Sequence, residues 1–280
     1  MTNPIADPLV EGLDSDTTST LVKVEGTADG VVTVTMNRPA ARNAFNAELI
    51  AALHEAFETL HGAEGVRVVF LRGEGSFFSA GADLEWMRAA SGWSESENRT
   101  DALQMARMLK SLWDIPALTV ALVEGGAFGG GGGLVAACDM AVAAADAKFS
   151  FSEVRLGLIA ATISPYVVAA IGPRNARGLF ATGQIFDAQY AVNIGLVTEI
   201  VSDVASLEGA GARIARQMML CAPGAVADSK TLVGDVAFKA IDHGLMEETA
   251  RRIARARVGD EGREGVAGFL EKRKPSWTLS

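Results

Sequence analysis

The stretch LTVALVEGGAFGGGGGLVAACD, residues 118–139, decides how this chain is read. It opens on an apolar run, Leu118–Val123, that reads as a buried strand. Glycines follow, five in succession from Gly129 to Gly133, and then LVAAC, made of small side chains and good helix formers. A strand that passes through glycines into a helix turns unpaired backbone N–H groups toward whatever lies in front of the helix. Without Cβ atoms, a ligand can approach that backbone closely. Two other readings exist. A flexible linker is one, but linkers are seldom flanked by a buried strand and an alanine-rich helix. A dinucleotide fold is the other: Gly131, Gly133 and Ala136 fit G-x-G-x-x-A, with Glu153 at about the ribose-binding spacing. Against it, the stretch sits mid-chain, and a glycine run meets many spacings by chance.

The same theme occurs upstream. Residues 66–71 read as a second buried strand, Arg72 to Phe78 as a turn ending in aromatics, and Ser79-Ala80-Gly81-Ala82-Asp83-Leu84 as small residues leading into a helix that Asp83 can cap. Two strand–turn–helix units, at Ala82 and near Gly130, can each offer one N–H group. One oxygen held by two such donors from separate loops is an oxyanion hole.

Around this centre the pattern is irregular βα alternation followed by helix, which gives an α/β class. Residues 21–25 and 31–36 alternate β-branched residues about the hairpin signal Asp29-Gly30. Asn46 can cap a helix over residues 47–61, and residues 98–113 carry a second apolar helical face. Ser164-Pro165 starts a helix that Ile171-Gly172-Pro173 breaks. From Ser206 the pattern is wholly helical, with interruptions expected at Pro223-Gly224, Gly244 and Gly262. Three regions are expected: a loosely ordered N-terminal segment (1–18), a core (19–205) and a helical region (206–280). No clean internal repeat is visible.

Composition narrows the function class. The 280 residues carry 25 Lys and Arg against 34 Asp and Glu, a net charge of −9, with 49% hydrophobic residues. An acidic surface argues against broad nucleic-acid or anionic-membrane binding. Two cysteines, Cys138 and Cys221, stand in no metal-type spacing, which suits a reduced, cytoplasmic protein without disulfides. No apolar run reaches membrane-spanning length, and the polar, acidic N-terminus reads as neither a signal nor a transit peptide.

Taken in order, Asn37-Arg38-Pro39 with Asn43-Ala44-Phe45, then residues 78–84, then residues 123–131 with Cys138-Asp139, then Phe149, Glu153 and Gly157 resemble the crotonase, or enoyl-CoA hydratase/isomerase, superfamily over residues 22–201. That resemblance implies a ββα spiral core, a C-terminal helical region that trimerises, often a dimer of trimers, and an acyl-CoA thioester substrate. Coenzyme A would then be part of the substrate, with no separate cofactor and no metal. Carried across, the oxyanion donors are the N–H groups of Ala82 and Gly130, the backbone around Ala80 to Ala82 faces the adenine, and Arg38 contacts coenzyme A phosphates. A typical hydratase of the family has a glutamate two residues beyond its triple glycine; here that position is Gly133. The second family glutamate is matched by Glu153. The wording of residues 81–87, 127–134, 152–158 and 161–167 resembles bacterial methylglutaconyl-CoA hydratase-like proteins.

The chemistry implied is water addition to an α,β-unsaturated thioester, with Glu153 as the acid/base and its pKa raised by Phe149, Phe151 and Leu156. For a glutaconyl thioester, Thr162, Ser164 or Arg155 are candidate partners of the distal carboxylate. An enoyl-CoA isomerase, which needs one base, and a non-catalytic acyl-CoA or RNA-binding scaffold are the alternatives. Each residue also has a plainer reading: Glu153 as a solvated carboxylate, Asp83 as a helix cap, Asp139 as a turn anchor, Cys138 as packing, and the arginines at 251, 252, 255 and 257 as solvated or interhelical charges.

Overall fold

The computed structural model describes residues 20–278; the segment expected at 1–18 lies outside them. The chain divides into two compact units, one reaching to Arg213 and one beginning at Ile214.

The first unit is built on two sheets. Strands β1 (Val22–Gly26), β2 (Val31–Met36), β3 (Val68–Gly73), β4 (Leu118–Val123), β6 (Met140–Ala144) and β9 (Glu199–Val201) form the larger one, in the order β1-β2-β3-β4-β6-β9. Only the β1–β2 pair is antiparallel. It closes through Gly30, whose φ of +81° supplies the turn. The parallel strands are buried on both faces, so they read as continuous apolar runs rather than alternating ones. The smaller sheet joins β5 (Gly126–Phe128), β7 (Lys148–Ser150) and β8 (Ile185–Asp187) in that order. It is extended by a bridge from Ser79 to Ala127.

The path between the sheets is a spiral. After β2 the chain makes an isolated bridge from Phe45 to Ala82 and enters α1 (Ala47–Gly62). After β3 it passes Ser79 and Ala82, then enters α2 (Leu84–Ala90) and α3 (Glu95–Trp113). After β4 come β5 and α4 (Gly130–Ala137); after β6 come β7 and α5 (Ser164–Thr182). Each turn is a long-sheet strand, a short extended segment in the second layer, and a helix. This is the ββα spiral that the resemblance implies. The unit is completed by α6 (Ala188–Ile194) and the first part of α7 (Ala205–Met218).

Several boundaries differ from the sequence reading for local reasons. Helix α3 starts at Glu95, not Asn98, because Ser94 and Glu97 form a reciprocal capping box. Helix α5 is kinked at Gly172 (φ 73°, ψ 159°), where the sequence breaks it. Helix α4 begins at Gly130, so four of the five glycines lie inside a helix rather than in a loop.

In the second unit, α8 (Pro223–Val236), α9 (His243–Val258) and α10 (Asp260–Glu271) follow one another. Pro223 opens α8 and Gly259 separates α9 from α10, but Gly244 and Gly262 lie within helices. At Gly262 an added Cβ would meet the Ala256 carbonyl oxygen at 2.0 Å, so glycine there serves a close crossing and not a break. Arg252 bonds Glu248 (2.7 Å) and Asp235 on α8 (2.6 Å), which makes part of the arginine cluster a set of helix-surface and interhelical ion pairs. No helix among the described residues is long and apolar enough to cross a membrane.

Candidate active site

The five glycines are packed, not loose. Gly129 sits at φ +51°, a backbone region that favours glycine. An added Cβ on Gly130 would lie 2.8 Å from the Met105 side chain, on Gly131 2.8 Å from Ser79, on Gly132 2.8 Å from Phe151, and on Gly133 2.2 Å from Ile163. Every one of these contacts is too short for a real Cβ, so the run is explained by crowding. Glycine costs about 1 kcal/mol per residue in a helix, and tertiary packing overrides that cost here.

The first turn of α4 therefore points its N–H groups outward. Gly130 is the first helical residue, and its N–H has no intrahelical acceptor. The cap residue Gly129 is fixed from behind, donating its own N–H to Ser150 O on β7 at 2.8 Å.

The second donor is built by a parallel bridge. Phe45 N–H donates to Gly81 O (2.7 Å), and Asp83 N–H donates to Phe45 O (2.9 Å). In a ladder of this kind the residue between, Ala82, aims its own N–H away from the partner strand. That N–H finds no acceptor among the described residues. Asp83 then caps α2, accepting from Glu85 N–H at 2.9 Å and Trp86 N–H at 3.3 Å. Desolvation pushes the Asp83 carboxyl up, but the Trp86 and Glu85 N–H groups and Arg38 outweigh it and hold it below the usual carboxylate range.

The two loops touch. A Cβ built on Gly81 would lie 2.9 Å from Phe128 O and 3.8 Å from Gly129 Cα. The residues immediately before the two donors are thus in contact, and Ala82 and Gly130 sit at one mouth. Beneath them, Asn43 is fully buried: its side chain accepts from Arg38 N–H (2.9 Å) and donates to Glu74 O (3.0 Å) and Phe77 O (2.7 Å). Ser79 Oγ donates to Asn43 O at 2.9 Å. Asn43 and Ser79 lock the upstream loop, a support that the Asn43-Ala44-Phe45 motif signals without revealing its purpose.

Glu153 arrives three residues after Ser150, in a single 3-10 turn (Glu153–Leu156). Its Oε1 lies 3.4 Å from where a Gly129 Cβ would sit. Its Oε2 is buried and accepts no hydrogen bond. Burial pushes its pKa above the ordinary glutamate value, since only its own backbone N–H offsets the lost solvation. The carboxyl is therefore next to the glycine mouth and partly desolvated, not out in solvent. Phe149 and Phe151 are buried as expected, whereas Leu156 is 62% exposed and takes no part in that desolvation.

These features bring Ala82, Gly130 and Glu153 to one place: two outward N–H groups on adjoining loops, with a lone carboxyl beside them. The family model described as enoyl-CoA hydratase/isomerase matches residues 26–279.

The chain belongs to the enoyl-CoA hydratase/isomerase family.

Among relatives in this family, the enoyl-CoA hydratase ACTT6 of Alternaria alternata is 31% identical over 86% of this chain and 78% of its own. The crystal structure of an enoyl-CoA hydratase from Shewanella pealeana is 36% identical, with a TM-score of 0.88 over 92% of this chain and 96% of the other. Pseudomonas aeruginosa AtuE is also 36% identical, with a TM-score of 0.87 over 92% and 100%.

Arg38 is bound into the protein: one nitrogen donates to Ala44 O, and another pairs with Asp83 at 3.0 Å, both side chains being mostly buried. Ala80 donates its N–H to Arg42 O at 2.9 Å, while its carbonyl accepts no hydrogen bond among the described residues. Ser164 Oγ is spent on Ala161 O (2.8 Å), and the Arg155 side chain lies along Gly183. His54 and His61 tie α1 to the α3 side through Ser111 Oγ (3.0 Å) and Asp114 O (3.1 Å). Asp139 is a structural anchor, accepting from Thr119 N–H (2.8 Å) and Oγ1 (2.9 Å).

Proposed function

We propose that this family member hydrates a branched or carboxylated, methylglutaconyl-like enoyl-CoA with Glu153 as its single acid/base group. The observation that carries this reading is the Glu153 carboxyl: partly desolvated, with one oxygen orphaned, against the glycine mouth that presents Gly130. The subfamily wording of residues 152–158 and 161–167 supports the choice of acyl group.

The thioester oxygen takes hydrogen bonds from Ala82 and Gly130 N–H. Glu153 removes a proton from water as the water oxygen bonds to Cβ. The Cα–Cβ π electrons move toward the thioester, and the charge gathers on the held oxygen. The protonated Glu153 then returns its proton to Cα, the thioester carbonyl re-forms, and the carboxylate is regenerated. The net change is H and OH added across one double bond, both from the face that Glu153 covers. A carboxyl with a raised pKa suits both halves, being a better base than an exposed one and still able to give the proton back.

Coenzyme A lies along the upstream loop in this reading, with the adenine amino group donating to the open Ala80 carbonyl. Arg38 serves coenzyme A by holding that loop through Asp83 and Ala44. The helical region assembles the protein as a trimer or a dimer of trimers.

An isomerase is the second reading, favoured by the same lone carboxylate, because moving a double bond needs only one base. Purified protein incubated with 3-methylglutaconyl-CoA, crotonyl-CoA and a 3-enoyl-CoA, with enoyl absorbance followed, separates the two. Loss of absorbance with 3-methylglutaconyl-CoA is expected. Gain of absorbance with the 3-enoyl thioester alone overturns the hydratase in favour of the isomerase, and tight binding without turnover of any of them points to a scaffold.

A further inference from the structure

Helix α3 reaches the elements of both donors. A Cβ built on Gly130 would stand 2.8 Å from Met105 Cε, so the buried Met105 packs on the downstream donor. Asp101 stands one helical turn before Met105, on the face that continues through Met108 and Leu112. From there it reaches α2: Asp101 Oδ1 accepts from Trp86 Nε1 at 3.2 Å. Trp86 lies in the first turn of α2 and donates its backbone N–H to the Asp83 cap at 3.3 Å, just beyond the other donor, Ala82. The Trp86–Asp101 bond thus links the helix that follows Ala82 to the helix that packs on Gly130.

That bond leaves Asp101 half used. Its Oδ2 accepts no hydrogen bond among the described residues, and the residue is only partly buried, so a ligand can reach it. Lost solvation raises its carboxyl above the usual aspartate value, and the Trp86 indole offsets only part of the rise. No charged side chain contributes to this shift. Glu97, one turn earlier on α3, is taken up by the Ser94 cap. Glu85 and Arg88 flank Trp86 on α2 without acting on Asp101, no group on α1 acts on it, and α4 carries no ionisable side chain. The arginines named around the site are committed elsewhere: Arg38 to Asp83 and Ala44, with Arg155 lying along Gly183.

We infer that Asp101 is a specificity-determining residue whose Oδ2 holds the far carboxylate of a carboxylated acyl group through one shared proton. The inference rests on the hydratase reading above and goes beyond it by naming the side chain that reads the acyl end. Two carboxylates at hydrogen-bond distance cannot both stay ionised, and the pair keeps one proton between them. The proton comes from solvent, so binding of a carboxylated chain takes one up. Trp86 fixes Oδ1, which presents the carboxyl in one orientation.

Calorimetry on the full chain tests this with two saturated thioesters that cannot turn over. One is 3-methylglutaryl-CoA, which carries the far carboxylate; the other is isovaleryl-CoA, which lacks only that group. Titrations at about pH 8, above the ordinary range of either carboxyl, are run in two buffers of different ionisation enthalpy, so that proton uptake is read directly. Wild type should take up about one proton per site with 3-methylglutaryl-CoA and none with isovaleryl-CoA. Asp101→Asn keeps an acceptor for Trp86 and offers an N–H to the ligand; it should lose the proton uptake and bind 3-methylglutaryl-CoA within about threefold of wild type. Asp101→Ala should weaken 3-methylglutaryl-CoA by about tenfold, the low end for a hydrogen bond to a charged group, and leave isovaleryl-CoA within about twofold.

No proton uptake by wild type, or uptake that persists in Asp101→Asn, overturns the shared proton. Equal weakening of both thioesters in Asp101→Ala reduces the residue to a support for Trp86 and overturns the selective contact. Tighter binding of 3-methylglutaryl-CoA by either variant shows that Asp101 repels that group and overturns the inference as well. Should Asp101→Ala fail to fold, the Asp101→Asn comparison decides. A wild type that hydrates neither 3-methylglutaconyl-CoA nor crotonyl-CoA sinks the hydratase reading and this inference together, whereas an active wild type with any of the contrary binding results sinks the inference alone.

Discussion

Replacing Glu153 by glutamine keeps the length of the side chain and removes its capacity to take a proton. The carboxyl sits beside Gly129 with Oε2 buried and unpartnered, so no hydrogen-bond network is broken by the change. One positioned acid–base group contributes about 10²–10⁴-fold. Here a single carboxyl serves both proton transfers, which puts the expected loss of kcat near the upper end, about 10⁴-fold or about 5 kcal/mol of barrier. The two N–H donors are untouched, so binding of a saturated acyl-CoA, followed by calorimetry, should change by less than about threefold. In the wild type, burial places the acid limb of kcat/KM above the ordinary glutamate value of 4.5, because the group must be ionised to accept the proton. Glu153→Gln should abolish that limb with the activity. A glutamine variant that keeps more than about a tenth of wild-type kcat would falsify the single-carboxyl mechanism.

Three further expectations concern stability and the loops. The folded pKa of Glu153 lies above its unfolded value, so stability falls as pH rises through that interval and the deficit then persists; the Glu153→Gln minus wild-type difference in thermal midpoint should grow in favour of the variant from about pH 4 to about pH 8, and a flat difference refutes the raised pKa. Gly129→Ala forces a side chain onto φ +51° beside the Glu153 carboxyl; it should cost about 1–3 kcal/mol in chemical denaturation and lower kcat, and a variant as stable as wild type contradicts the strained geometry. Arg38→Ala removes the tie to Asp83 and Ala44 and should cost about 1 kcal/mol. Because the Asp83 pKa is depressed, its share of stability is present above its ordinary value of 3.8 and is lost as pH falls through the folded value, so the gap between Arg38→Ala and wild type should narrow in strong acid.

The large sheet was legible because parallel strands buried on both faces leave continuous apolar runs, as at Leu118–Val123. Helix caps were legible where a short polar side chain precedes an apolar period: Asn46 accepts from Leu49 N–H and Asp83 from Glu85 N–H. The Ser94–Glu97 capping box carries the same kind of signal. The spiral repeat itself was not legible. Its second-layer segments are one to three residues long, as at Phe45, Ser79 and β5, which is too short for any periodicity to register.

What the sequence by itself determined is the inventory: a strand–glycine–helix unit at Gly130, a parallel one at Ala82, a lone glutamate at 153, and a glycine at 133. Residue type and local order are enough for that, since backbone donors and cap preferences are local properties. What only the tertiary structure decided is why those residues act together. Gly81 and Gly129 meet across two loops nearly fifty residues apart in sequence, and the orphaned Glu153 oxygen is a fact about what surrounds it. Ile163, unremarkable within its own segment, fills the space that Gly133 leaves. Contacts of this kind are set by packing between distant segments, and no local pattern records them.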